Sequence, residues 1–244
     1  MIKELVLFSM SIFDYFHQRK IIIFLKKKNL KRISIFLDVG AHKGESINLF
    51  SKNMEIKKVI SFEASPKNFE FLKKKKDYYS KKFPNTEIII ENIALGSENK
   101  EKVFKQFNES SSSTLNDINE KSKYFKNKFK LLNFLSNKKI YETFKVQVKT
   151  LNDYLEKNII NKVDFLKIDT EGYEYEILKG LESKIDCVDF IMFEHHYDNM
   201  IKKNYTFLDI NHLLIRKNFK QIYKSKMPFR KTFEYIYVNK LAIL

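Results

Sequence analysis

The sequence predicts an α/β fold: a doubly wound, mostly parallel sheet ending in an antiparallel pair of strands. Three observations carry this. From residue 33 onward, apolar runs of strand length alternate with segments of helical period. A glycine turn, DVGAHKG, joins the first apolar run to the first helical segment. Near the C-terminus, FKQIYKS and TFEYIYV lie close together with a short MPFRK turn between them, which suits an antiparallel hairpin.

Residues 1–32 form an apolar-rich helical prefix, set apart from a single domain over 33–244. Glu4, Asp14 and His17 interrupt the prefix, and it has no small-residue cleavage site, so it reads neither as a signal peptide nor as a membrane span. It is expected to pack on the sheet or to lie on an anionic membrane surface. The domain then reads ISIFLDV as strand, GESINLFSKN as helix, KKVISFE as strand, and PKNFEFLKKKKDYYSKK as a helix opened by Pro66. TEIIIENIAL is the next strand, and KVFKQFN and FKVQVKTL are extended segments. Between these two, residues 116–142 are a Lys- and aromatic-rich insertion, either a substrate lid or a basic solvated helix. VDFLKID is a strand, YEYEILKGLES a helix, CVDFIMFEHH a buried strand and TFLDINHLLIRKN a helix before the final pair.

With 244 residues and 43% hydrophobic content, including 23 Phe, the chain can bury a sizeable core and is not disordered by composition. A net charge of +16 favours something anionic, whether nucleic acid, a phosphorylated substrate or an acidic membrane. It does not choose among them, and runs such as KKK at 26–28 and KKKK at 73–76 also suit a solvated surface. The single cysteine, Cys187, lies in an apolar stretch, which excludes an intrachain disulfide and suits a reducing, cytoplasmic setting, with a peripheral membrane association as a further expectation.

Glycine is scarce, with only five in the chain, and nearly all the glycines and alanines fall into DVGAHKG, FEAS, NIALG and DTEGYE. Dinucleotide-binding turns read G-x-G-x-x-G, and their middle glycine lets the backbone approach a pyrophosphate. Here that position is His42. The D-x-G-x-x-x-G spacing of Asp38, Gly40 and Gly44 suits a nucleoside ligand without phosphate, such as S-adenosylmethionine, whose ammonium group Asp38 can meet directly or through water. Glu63, 25 positions after Asp38, ends the second strand, where one carboxylate can accept from both ribose hydroxyls.

Taken together, DVGAHKGES, SFEASPKNFEFL, NIALG, ESSSSTL, VKTLNDYL and, most specifically, DFLKIDTEGYEYEILKG resemble the successive blocks of the FkbM family of class I S-adenosylmethionine-dependent methyltransferases. The resemblance covers residues 35 to about 196. It implies a Rossmann-like, seven-stranded sheet. It also implies that Asp38, Gly40, Ala41, His42, Gly44 and Ser46 form the methionine-binding turn and that Glu63 holds the ribose. Ala64 and Ser65 would lie beside the adenine, Asn92 and Ala94 would contact the base, and Ser112 and Ser113 would belong to a serine stretch closing over the cofactor. Asp169 and Glu171 would face the methyl-transfer site.

Transfer to a hydroxyl needs a group to take its proton, or a divalent ion to lower its pKa. Asp169, Glu171, Glu194, His195 and His196 are the candidates, all at carboxyl ends of strands, where doubly wound sheets place their ligands. If the strand persists, Asp169 and Glu171 point the same way, and Gly172 permits the turn that follows. Adjacent strand residues face opposite ways, so only one of His195 and His196 faces the site; His195 is the assignment taken with Asp169 and Glu171 as catalytic. A metal held by Asp169 with Glu194 is chemically adequate but not favoured. The reading is an O-methyltransferase acting on a hydroxyl of a sugar, glycan or other bacterial secondary product. The alternatives are an RNA ribose 2′-O-methyltransferase, although no N-P-P-Y-like signature appears, or a non-catalytic module bound to membrane or nucleic acid.

Overall fold

A computed structural model describes the backbone of residues 2–108, 113–132 and 140–243, and their side chains except at 2–12, 128–132 and 243. The prefix is one long helix, α1 (Ile2–Lys27), and β1 (Arg32–Val39) opens the domain. Then come α2 (Glu45–Asn53), β2 (Glu55–Phe62), α3 (Pro66–Lys82) and β3 (Glu87–Glu91). Pro66 suits the first turn of α3 because its missing N–H would have no helical partner, and Ser65 caps the helix by accepting from the Asn68 amide.

The expected strand TEIIIENIAL divides at Asn92: β3 ends before it, and β4 (Ala94–Gly96) belongs elsewhere. With β5 (Lys100–Phe107), β6 (Asp117–Ile118), α4 (Lys123–Leu132) and β7 (Tyr141–Thr150), the chain leaves the main sheet and builds a smaller one of order β4-β7-β5. The insertion lies partly outside the described residues. Its described part is anchored, with Phe125 of α4 buried against Phe107, Met200 and Ile201. The main sheet resumes after α5 (Leu151–Lys157) with β8 (Val163–Ile168), α6 (Glu174–Lys179) and β9 (Val188–His196). The two-residue β10 (Ile201–Lys202) pairs with β6, and α7 (Phe207–Arg216), β11 (Phe219–Lys226) and β12 (Thr232–Asn239) end the fold.

The resulting sheet has seven strands in the order β3-β2-β1-β8-β9-β12-β11. Its first five strands pair in parallel, and β12 and β11 are antiparallel, as the sequence predicts. Alternation along the strands splits the core in two. Leu37, Ile60, Leu166, Ile191 and Tyr235 face α5, α6 and α7, whereas Phe36, Val59, Phe165, Met192 and Ile236 face α1, α2 and α3. The second half of α1 packs on the sheet through buried Ile21, Ile22 and Leu25, each worth about 1.5–3 kcal/mol of burial.

Candidate active site

The carboxyl ends of β1, β2, β8 and β9 meet at one place. After β1, the turn alternates into left-handed backbone at Gly40 (φ 84°), His42 (φ 49°) and Gly44 (φ 86°). Gly40 and Ala41 donate their amides to the Phe62 carbonyl, so the turn is fastened to the end of β2. Asp38 is fully buried at its base. Burial pushes its carboxyl up to about 6 against the pull of Lys167, with Ser46 adding a favourable hydrogen bond. Asp38 Oδ1 has no hydrogen-bond partner among the described residues, which leaves a buried acceptor that a cationic ligand group would satisfy.

Glu63 ties the turn to β2. Its Oε2 accepts from the His42 amide at 2.7 Å and its Oε1 from the Ser65 amide at 2.8 Å. Each oxygen retains a further lone pair, so the fixed carboxylate can still accept from two hydroxyls. Burial raises its pKa to about 7 despite those two amides.

Beyond β8, Asp169 donates its amide to the Val39 carbonyl. Its Oδ2 lies 3.0 Å from Lys167 Nζ, which also stands 4.0 Å from Asp38 Oδ1. Burial alone would raise Asp169, but the Lys167 ammonium holds its carboxyl below the usual range. The same two carboxylates hold Lys167 above its ordinary pKa although it is buried. β8 stops at Ile168, so strand alternation does not aim Glu171 as expected; left-handed backbone at Glu171 (φ 52°) does. Glu171 Oε2 and Glu194 Oε1 each lie 3.2 Å from His196 Nε2, at ion-pair distance without the alignment of a hydrogen bond. Thr232 and Asp198 stand at the other ring nitrogen. Burial opposes protonation of His196, yet Glu171, Asp198 and Glu194 raise its pKa well above the ordinary value. Burial and Asp169 raise Glu194.

A sequence model of the methyltransferase FkbM domain matches residues 38–221, well over half of the chain. The chain belongs to the FkbM methyltransferase family. The matched region is its methyltransferase domain. Methyltransferase FkbM from Methylobacillus flagellatus KT is similar in structure, with a TM-score of 0.55 at 16% identity. That match covers 84% of this chain and 43% of the other, so this chain spans less than half the length of that protein. Magnesium protoporphyrin IX methyltransferase from Synechocystis PCC 6803, solved with bound S-adenosylmethionine, gives a TM-score of 0.51 at 10% identity, covering 94% of this chain and 81% of its own. At such identities the likeness is one of fold. No curated protein matches the sequence.

Within this FkbM chain, the two histidines exchange the places expected of them. His195 lies on the opposite face of β9, packed against Tyr197, Tyr205 and Phe207, and burial there pulls its pKa down to about 3. His196 is the one that meets the acids, because β9 stays extended through both residues and its even-numbered positions, Met192 and Glu194, share that face. Ala94 is buried beside Phe104, Val146 and Val148 of the small sheet, with the half-buried Ala64 packed against them. Asn92 spends its amide on the Glu63 carbonyl, steadying the end of β2. Ser65 is occupied as the α3 cap, Ser113 accepts from the Phe107 amide, and Ser112 lies outside the described residues. The pair Asp169 and Glu194 is not arranged as a metal site. Asp169 is engaged by Lys167, and no group of three or more metal-binding side chains occurs among the described residues.

Four contributors escaped the sequence reading. Lys167 is a lysine inside the otherwise apolar run FLKI, an oddity that could have marked it. Glu174 is fully buried and pins the acid turn, accepting from the Gly172 amide at 2.8 Å and from the Tyr205 hydroxyl. Thr114 and Asn116 complete the clamp by donating to the carbonyls of Glu171 and Gly172.

Proposed function

We propose that this FkbM methyltransferase methylates a hydroxyl of a sugar, glycan or similar uncharged polyol. The observation that carries this reading is the meeting of Glu171 and Glu194 at the His196 imidazole, at the strand ends, with Asp169 near enough to act electrostatically on both Glu194 and His196. Carboxylates there accept hydrogen bonds from hydroxyls and repel phosphate, so the reacting end suits a neutral polyol better than an RNA backbone.

S-adenosylmethionine, when bound, supplies a methyl group made electrophilic by its sulfonium. The unpartnered oxygen of buried Asp38 fits its ammonium, and the carboxylate of Glu63 fits its ribose hydroxyls. Asp169, held ionised by Lys167, orients the acceptor hydroxyl, and much of the acceleration comes from such positioning. Glu194 takes the hydroxyl proton, since its raised pKa makes it a better base than Asp169. His196 keeps its own proton and balances the charge of Glu171 and Glu194.

A methyl-transfer panel of glycans and polyols against structured RNAs tests this, read with E194Q and D169N. Expected are turnover on a hydroxylated neutral acceptor and a large loss of kcat in E194Q at nearly unchanged cofactor affinity. Methylation of RNA alone, with tight binding and a steep salt dependence, would defeat the polyol reading.

A further inference from the structure

The turn between β11 and β12 ends in an exposed aromatic. Phe229 is 80% exposed and sits in left-handed backbone (φ 60°), a conformation bulky side chains rarely adopt. It does not stand alone. The Phe13 ring of α1 lies edge-on to it at 5.1 Å, Phe16 one turn further along is 52% exposed, and Asp14 and Arg230 bolt helix to turn at 2.8 Å. Exposed single apolar residues need no explanation, but clustered aromatics at a tip do.

The surroundings indicate what covers them. Arg19 and Lys20 follow Phe16 on α1, and Lys226 and Lys231 flank the turn, all four exposed. The only acidic residue in segments 13–20 and 224–231 is Asp14, already paired with Arg230. Exposed aromatics flanked along both segments by exposed cations, with Asp14 the one acid in those segments, match the headgroups and outer acyl carbons of an anionic bilayer. A protein groove accepting the same rings would need acids of its own around them. No described helix is long and apolar enough to cross a membrane, so contact here is with a surface.

The patch also adjoins the site. The Tyr197 amide donates to the Lys231 carbonyl at 2.7 Å, and Thr232 pairs with His196 across β12 and β9. We propose that Phe13, Phe16 and Phe229, with Arg19, Lys20, Lys226 and Lys231, dock this protein on anionic phospholipid membrane and so hold its acceptor site against the bilayer. The docking stands apart from the choice of acceptor; only its value for catalysis, delivery of a membrane-tethered hydroxyl, rests on the function proposed above.

The chain has no tryptophan, so F229W provides a single emitting probe. Co-sedimentation with phosphatidylcholine vesicles, with and without phosphatidylglycerol, is the measurement. Expected are partition into the anionic vesicles only, a blue shift of F229W emission on binding, and a loss of about tenfold in F16S/F229S and in K226E/K231E. The S-adenosylmethionine thermal shift should be unchanged in both double variants, which shows that they remain folded. Failure of the wild type to partition, or equal partition by both double variants, overturns the proposal. So does F229S converting a dimer to monomer without altering vesicle binding, which would make the occupant a second copy. Vesicle binding needs no acceptor, so these results are independent of the methyl-transfer panel.

Discussion

Gly40 and Asp169 touch through their backbones: a Cβ on Gly40 would lie 1.9 Å from the Asp169 carbonyl oxygen. The glycine turn after β1 and the acid turn after β8 are thus seated on each other, and the glycine is required twice, by this approach and by its left-handed φ of 84°. G40A should lose about 1–2 kcal/mol from the backbone alone, and more from the clash. Scanning calorimetry should show a lowered midpoint, and the thermal shift given by S-adenosylmethionine should vanish. A variant that keeps its shift would show that the two turns move independently.

Cofactor affinity should depend on pH in a defined direction. Burial raises Asp38 to about 6 and Glu63 to about 7, so both are protonated, and poorer acceptors, in the free protein below those values. Affinity for S-adenosylmethionine should therefore rise as pH climbs through about 6 to 7 and level off above. Isothermal titration between pH 5 and 8.5, about the range those values bracket, measures it. E63Q should bind weakly throughout and lose the upper part of the slope.

Lys167 offsets the charges of buried Asp38 and of Asp169, whose side chain is 35% exposed, so K167M should cost about 2 kcal/mol, less than for a fully buried pair. The pH dependence separates lost packing from lost charge. In the wild type, Asp169 has a folded pKa below its unfolded one, so its contribution is present above the unfolded pKa and fades as pH falls through the folded value. Asp38 already lies above its unfolded pKa, at about 6, with Lys167 lowering it; without the lysine it rises further and Asp169 loses the pull that holds it down, so the variant should lose more stability than the wild type as pH rises. Parallel midpoint-against-pH curves for the two proteins would refute the charge argument.

Much of this was legible in the chain and some could not be. The mostly parallel sheet follows from apolar runs alternating with helices, and DVGAHKG, Glu63 and the Asp169 turn stand at strand ends because buried runs stop there. The side sheet was hidden because TEIIIENIAL reads as one strand unless Asn92 is recognised as the point where pairing changes partner. Which of His195 and His196 faces the acids depends on how β9 sits between its two cores, information carried by contacts far away in sequence. Glu171 reaches the site through a left-handed residue that no periodicity reports.

The histidine pair offers the sharpest test of the site. His196 has a folded pKa above its unfolded value, so its ion pairs contribute fully below the unfolded pKa of about 6.5 and are lost as pH rises through the higher folded one. H196Q leaves Glu171 and Glu194 facing each other without a cation, which should lower stability most at neutral and acidic pH and flatten the alkaline decline. It should also push Glu194 further up, moving the lower limb of the kcat-against-pH profile toward alkali. His195 sits neutral among Tyr197, Tyr205 and Phe207, where a ring of similar size can replace it. H195F should therefore keep the wild-type profile with a stability change within about 1.5 kcal/mol. If instead H195F shifts the profile and H196Q does not, the proton balance of the site lies on the other face of β9, and the roles assigned to Glu171 and Glu194 fall with it.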